Sequence, residues 1–176
     1  MTEPPVHDLL RNAQNLDFDA FYRRELPAMV ALAAAITSST IAAEDLAQEA
    51  LLRAYNRWDE IGAYDKPGAW VRRVTINLAL TNRKRVGAEL KARLRLLGSD
   101  RTAGHTVEAH PPRFDDVWSA VAKLPGQQRA AVALHYLEDR SVADIAEILD
   151  CSESTARVHL HRGRNALASL LLGATA

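Results

Sequence analysis

Two short helical patterns that meet at Asp150-Cys151-Ser152 constrain this chain more than any other feature. Val142, Ile145, Ala146 and Leu149 fall at i, i+3, i+4 and i+7 and line one helical face; Ala156, Leu160, Gly163 and Leu167 repeat that face after the corner. Ser141, with Asp144 three residues on, reads as an N-cap supported by a carboxylate, and Ser152 or Ser154 offers the same to the second helix. Many such corners use glycine where the backbone turns left-handed. Here the residue is Asp150, which tolerates that conformation better than most. The second helix carries Arg157, His161, Arg162 and Arg164. This is the layout of a helix-turn-helix whose second helix is shaped for a DNA major groove. An ordinary helical hairpin with solvated arginines is the competing reading.

The 176 residues, 48% hydrophobic and 25% charged, suit one medium domain or two small ones. No run approaches ~20 apolar residues, so no membrane insertion is expected. Met1 to Asp8 has prolines and acids but no basic segment followed by an apolar one, which points to a cytoplasmic location. Cys151 is the only cysteine, excluding an internal disulfide and a cysteine-rich zinc site; it reads as a small buried residue. His159 and His161 lie two apart, on different sides of a helix, rather than in the i, i+4 spacing of a helical zinc pair. There is no phosphate-cradling glycine loop or nucleophile elbow, and Asp115-Asp116 and Glu138-Asp139 read as solvated helix ends. No metal, cofactor or enzymatic activity is expected.

The formal net charge is zero, but its distribution is uneven. Between Lys66 and Arg101, the cations Lys66, Arg72, Arg73, Arg83, Lys84, Arg85, Lys91, Arg93, Arg95 and Arg101 are opposed only by Glu89 and Asp100, while acids collect before Lys66 and after Arg113. Such segregation suggests a local basic surface for phosphates and a separate acidic surface for a protein.

Helical periodicity runs throughout and no strand alternates convincingly, so the chain is expected to be all-α. One helical block spans about 17–85 and another about 112–172. The breaker-rich stretch between them predicts two small helical domains, 1–97 and 113–176, joined by a flexible linker, 98–112. Ala88 to Leu97 either continues the helix or starts the linker; Leu90, Leu94 and Leu97 favour helix. A helix from about Ala43 to Trp58 puts Ala47, Ala50, Leu51, Ala54 and Trp58 toward the core and Asp45, Gln48, Glu49, Leu52 and Asn56 on the opposite face. An exposed leucine among acids and amides suits a protein-binding surface, although a solvated amphipathic face would look similar. The next helix, about Pro67 to Arg85, turns Val71, Val74, Thr75 and Leu78 inward. It sets Arg73, Asn77 and Lys84 on another side, with Trp70 and Thr81 at its edge. Cations for phosphates, an amide for base edges and an aromatic for stacking suit single-stranded or melting DNA, unless Trp70 is simply a core anchor. The loop from Asp59 to Lys66 lies where a pocket for a flipped base would be.

A conventional repressor or activator would use the same C-terminal helices but leaves the acidic helix and the Trp70 strip unexplained. A protein-binding adaptor explains the acidic face but not Arg157 to Arg164. Phe21-Tyr22-Arg23-Arg24, the segment from Ala43 to Tyr55, Ala69 to Ala79, Leu124-Pro125-Gly126-Gln127-Gln128-Arg129, and Ser154 to Arg164 occur in one order over nearly the whole chain. With them, the sequence resembles an ECF (extracytoplasmic function) sigma factor, a compact bacterial RNA polymerase initiation factor. The resemblance implies that Asp45, Gln48, Glu49, Leu52 and Arg53 bind core RNA polymerase. It implies that Tyr64, Lys66, Trp70, Arg73, Asn77, Thr81 and Lys84 melt and read the −10 element of promoter DNA. Ser154, Thr155, Arg157, Val158, His161 and Arg162 would face the −35 duplex. It also implies an anti-sigma factor as a partner, though no residue identifies one, and an autoinhibited arrangement of the two domains is equally compatible with a flexible linker.

Overall fold

The computed structural model describes residues 6–96 and 115–173, and the expected linker lies outside the described residues. Every regular element among the described residues is a helix: α1 Val6–Thr37, α2 Thr40–Tyr55, α3 Trp58–Ile61, α4 Pro67–Leu96, α5 Asp115–Lys123, α6 Gly126–Glu138, α7 Val142–Leu149 and α8 Glu153–Gly173. None of them is long and apolar enough to cross a membrane.

α1 stops where Ser38 turns left-handed at φ 62°, and Ser39 caps α2 by accepting a hydrogen bond from the Ala42 N–H at 3.3 Å. The inner face of α2 is small and wholly buried, with Ala43, Ala47, Ala50, Leu51 and Ala54 all at 0% exposure, so α1 and α4 pack closely on it. Trp58 and Ile61, both buried, anchor the single turn of α3. The loop expected from Asp59 therefore begins in a helix and shortens to the residues after Ile61. α4 carries Pro67 at its first position and continues to Leu96, so the stretch from Ala88 is helix, as its leucines favour.

The corner near the C-terminus forms as its pattern predicts. Ser141 Oγ accepts from the Asp144 N–H at 3.1 Å while the Asp144 carboxylate takes the Ser141 N–H, a complete capping box. Asp150 adopts φ 56°, ψ 50°, and the Cys151 N–H returns to the Ala146 carbonyl. Ser152 Oγ then accepts from the Thr155 N–H at 3.2 Å as α8 begins. Ala156, Leu160, Gly163 and Leu167 are buried as expected; on α7 Ile145, Ala146 and Ile148 are buried, with Val142 and Leu149 only partly so.

At Gly163 α8 approaches α6 closely. A Cβ there would lie 2.7 Å from Val132 Cγ2 and 3.3 Å from the Gln128 carbonyl oxygen. Gly163→Ala is expected to lose about 1–3 kcal/mol despite alanine's better helix propensity, since overpacking outweighs propensity here. A thermal melt at or above the parent Tm would contradict this.

Two buried clusters organise the interior. One is aromatic and lies within α1 to α4: Phe18, Phe21 and Trp58 meet at centroid distances of 4.8 to 6.2 Å, around Met29, Leu51 and Ile61. The other joins Leu32 and Ile36 of α1 and Ile76 and Ala79 of α4 to Val121, Leu134, Ile145, Ile148 and Leu160 of the later helices. The apolar core is thus continuous between the two helical blocks.

Candidate functional site

Three surfaces gather the residues picked out from the sequence. On the first, α1 and α2 form an open groove of about 540 Å³ lined by Phe18, Tyr22, Asp45, Gln48, Glu49, Leu51, Leu52 and Tyr55. Leu52 and Tyr55 are exposed at 52% and 46%, large values for apolar side chains beside an aromatic floor. Arg53 pairs with Glu49 at 2.8 Å along the rim. The acidic face expected of α2 is therefore the wall of an apolar trough. Phe18, Tyr22 and Tyr55 complete it, and their part escaped sequence reasoning because they come from two helices whose crossing no local pattern encodes.

The second surface is the outer strip of α4 with the turn before it. Asn77, Thr81 and Lys84 are exposed in a row at helical spacing. Trp70 is only partly accessible: it packs on the aromatic cluster and carries the Arg57 guanidinium 5.8 Å above its ring. Tyr64 is exposed and donates its hydroxyl hydrogen to Glu60 Oε1 at 2.6 Å, which raises the phenol pKa and lowers that of Glu60. Lys66 and Arg73, expected to be free for DNA, instead turn toward α7. Lys66 Nζ lies 2.8 Å from Glu147 Oε2, and Arg73 Nη2 donates to the Glu147 carbonyl at 2.6 Å.

The third surface is α8. Ser154, Thr155, Arg157, Val158, His161 and Arg162 are all exposed, on the side away from its buried stripe. Arg157 has only a loose contact with Glu153 at 4.0 Å, and His161 a side-chain contact with Asn165 at 3.1 Å. Nothing in the fold occupies the guanidinium of Arg162 or the apolar tip of Val158 among the described contacts. Arg164 turns back to Tyr136, donating to its hydroxyl at 2.7 Å, so the row ends before it. Cys151 beside the corner is half-buried, and burial, aided by the Asp150 charge, raises its thiol pKa.

Two buried cations are structural, and one of them, Arg72, counts with the basic surface by its place in the sequence alone. Arg72 is 6% exposed and is held between Glu25 Oε2 at 2.8 Å and Glu138 Oε2 at 2.5 Å. This corrects the reading of Glu138 as a solvated helix end: its carboxylate is buried, and Arg140 also reaches it at 3.1 Å, while Asp139 is exposed as the left-handed cap. Arg129, 2% exposed, donates only to main-chain carbonyls.

An apolar trough, a polar strip and an exposed polar row on α8 thus share one small chain. The family description Sigma-70 region 2 matches residues 21–88, and Sigma-70, region 4 matches residues 114–167. The ECF RNA polymerase sigma factor SigM of Mycobacterium tuberculosis is 30% identical over 156 residues, covering 88% of this chain and 76% of that protein. The chain belongs to the ECF sigma factors. SigW of Bacillus subtilis, another ECF sigma factor, is 29% identical over 136 residues, 71% of this chain and 73% of its own. Among solved structures, the sigma factor RpoE of Bartonella quintana, in complex with the anti-sigma factor NepR, matches with a TM-score of 0.62 and 29% identity. That match covers 88% of this chain and 96% of that one. As an ECF sigma factor, the protein binds core RNA polymerase and directs promoter-specific initiation of transcription.

Proposed function

We propose that this sigma factor docks on core polymerase through the α1–α2 trough, with Asp45, Gln48, Glu49, Leu52 and Arg53 as its rim. Residues 1–97 act as the unit that melts and reads the −10 element with Tyr64, Lys66, Trp70, Arg73, Asn77, Thr81 and Lys84. Residues 113–176 act as the unit that reads the −35 duplex with Ser154, Thr155, Arg157, Val158, His161 and Arg162, and 98–112 connects the two. The observation that supports this reading most is the exposed polar row on α8, set opposite a fully buried stripe and preceded by a capped helix-turn-helix corner. The strip on α4 fits unpaired DNA less simply, since Trp70 is half-buried under Arg57. Exposed Asn77 is the side chain there best suited to a base edge. The protein works in the cytoplasm, where its polymerase is, the chemistry of RNA synthesis belongs to that polymerase, and an anti-sigma factor restrains it.

Run-off transcription with purified core enzyme and genomic promoter fragments tests this. Arg157→Ala is expected to reduce transcription from upstream-element-dependent promoters roughly tenfold or more, the worth of one good side-chain contact to a base pair or its phosphates. Asp45→Ala with Glu49→Ala is expected to weaken the complex with core enzyme by at least about 1 kcal/mol, read as a shift in the titration midpoint. Unchanged start sites and yields in both variants would overturn the assigned surfaces.

A further inference from the structure

The exposed row on α4 does not end at Lys84. At about 100° per residue, Asn77, Thr81, Lys84, Ala88, Lys91 and Arg95 fall within about 80° of one another around the helix, and all six are exposed. The continuation is made of turns that do no packing: among the described residues, none of α4 after Leu80 belongs to either buried cluster, and Leu90 and Leu94 are only partly covered. Its charge is one-sided. From Asn82 to Leu96 six cations stand against Glu89 alone, and Glu89 lies off the row, 3.9 Å from Arg85. Lys91 and Arg95 are one turn apart, where like charges repel and weaken an exposed helix, and no contact among the described residues offsets them. Cations in a last turn also favour the negative end of a helix, which accounts for Arg93 and Arg95 but not for Lys91 in line with Lys84.

A straight row of unpaired cations fits a repeating anion, and this one is continuous with the strip proposed above to read the −10 element. In that reading the chain passes from α4 through 98–112 to the unit that reads the −35 duplex, so Lys91 and Arg95 stand at the upstream end of the strip. From Lys84 to Arg95 the helix rises about 16 Å, the length of about five base pairs of duplex. We propose that the last turns of α4 are a phosphate rail: Lys84, Lys91 and Arg95 hold the backbone of the spacer duplex just upstream of the −10 element, whatever its sequence. Lysine and arginine on phosphates fix the position and direction of a duplex without reading its bases. The rail thus sets the path on which paired DNA leaves the melted region. The inference rests on the reading of Asn77, Thr81 and Lys84 as −10 contacts.

Binding of holoenzyme to a promoter fragment, titrated across salt concentrations, tests this. Glutamine is a good helix former, so Lys91→Gln with Arg95→Gln removes two charges and keeps the helix. The pair is expected to leave assembly with core enzyme unchanged, to weaken promoter binding about tenfold at physiological salt and to lower the slope of log affinity against log salt by about 2. The loss should be the same for promoters with unrelated spacer sequences. Arg93→Gln, on the far side of the same turns, is expected to change neither affinity nor slope. A second probe carries neutral methylphosphonate linkages over the duplex just upstream of the −10 element. It should bind the parent about as weakly as the native probe binds the variant pair, and the pair should lose nothing more on it. An unchanged salt slope, an equal loss from Arg93→Gln, or an additive loss on the neutral probe would each overturn the proposal, as would weakened core assembly, which makes the row a polymerase contact. Promoter opening that is indifferent to Asn77→Ala with Thr81→Ala defeats the −10 reading and the inference with it. Opening that needs both of those residues, with Lys91→Gln and Arg95→Gln silent, defeats the rail alone.

Discussion

Arg129→Ala is expected to lower stability by about 3–5 kcal/mol and to loosen the whole C-terminal half, more than any single surface change. The side chain is 2% exposed and donates to the carbonyls of Val121 at 3.0 Å, Leu124 at 2.7 Å, Ile36 at 2.8 Å and Ala122. It thus satisfies the end of α5, the turn before α6 and the last turn of α1 at once. Each buried carbonyl left without a donor costs about 1–3 kcal/mol, and truncation leaves a cavity as well. The Ala122 oxygen keeps another partner, Arg83 Nη2 at 2.6 Å, and the Val121 oxygen keeps the Leu124 N–H at 3.0 Å, so the loss falls chiefly on the carbonyls of Ile36 and Leu124. Burial, with the Arg83 charge close by, brings the Arg129 pKa down to about 10, which still leaves it charged at neutral pH. Arg129→Lys has three protons on a point and no planar fork, so it should recover only part of the loss. Urea unfolding followed by circular dichroism measures it; a midpoint equal to that of the parent would refute the role.

Arg72→Ala is expected to cost up to about 3–5 kcal/mol, because it leaves two buried carboxylates, Glu25 and Glu138, each with only a less buried cation, Arg24 and Arg140. The effect should carry a pH signature. Burial pushes the Glu25 carboxyl up, but hydrogen bonds and charge from Arg24 and Arg72 outweigh it, and the pKa falls below its ordinary value of 4.5. A depressed native pKa stabilises the fold fully above the unfolded value, and that stability is lost as pH falls through the native one. In the parent the contribution of Glu25 should therefore be lost only below about pH 4.5. Without Arg72, burial is opposed by Arg24 alone, so the variant should regain ground against the parent as pH drops from about 7 toward about 5. Thermal melts across that range decide it, and a deficit that is constant with pH would rule out the charge mechanism.

Local chemistry was legible in the sequence, and its partners across the molecule were not. Ser141, Asp144 and Asp150 act within a few residues of themselves, so the corner they build could be read from spacing. The same holds for the outer row from Ser154 to Arg162, fixed once Ala156, Leu160 and Gly163 are known to point inward. Arg72 and Arg73 are adjacent in the chain and alike in composition, yet one is buried between two carboxylates and the other lies on the surface against α7. No periodicity separates them, because the difference comes from Glu138 and Ile148, more than 60 residues away by the separations of 66 and 75 positions. Ile148 shows the same limit. It lies off the stripe drawn through Val142 and Ile145, and it is buried because α7 packs on two sides, against α8 and against α4.

The residue at the helix-turn-helix corner illustrates what such a choice means for the molecule. Glycine would sit at φ 56° without steric conflict, whereas aspartate holds that conformation under some tension. The tension is matched by a carboxylate that glycine could not supply, 3.3 Å from Arg73 on the opposite lobe. A glycine corner would turn the chain as well, but would leave Arg73 only the main-chain oxygens of Glu147 and Ile148 at that end of α7.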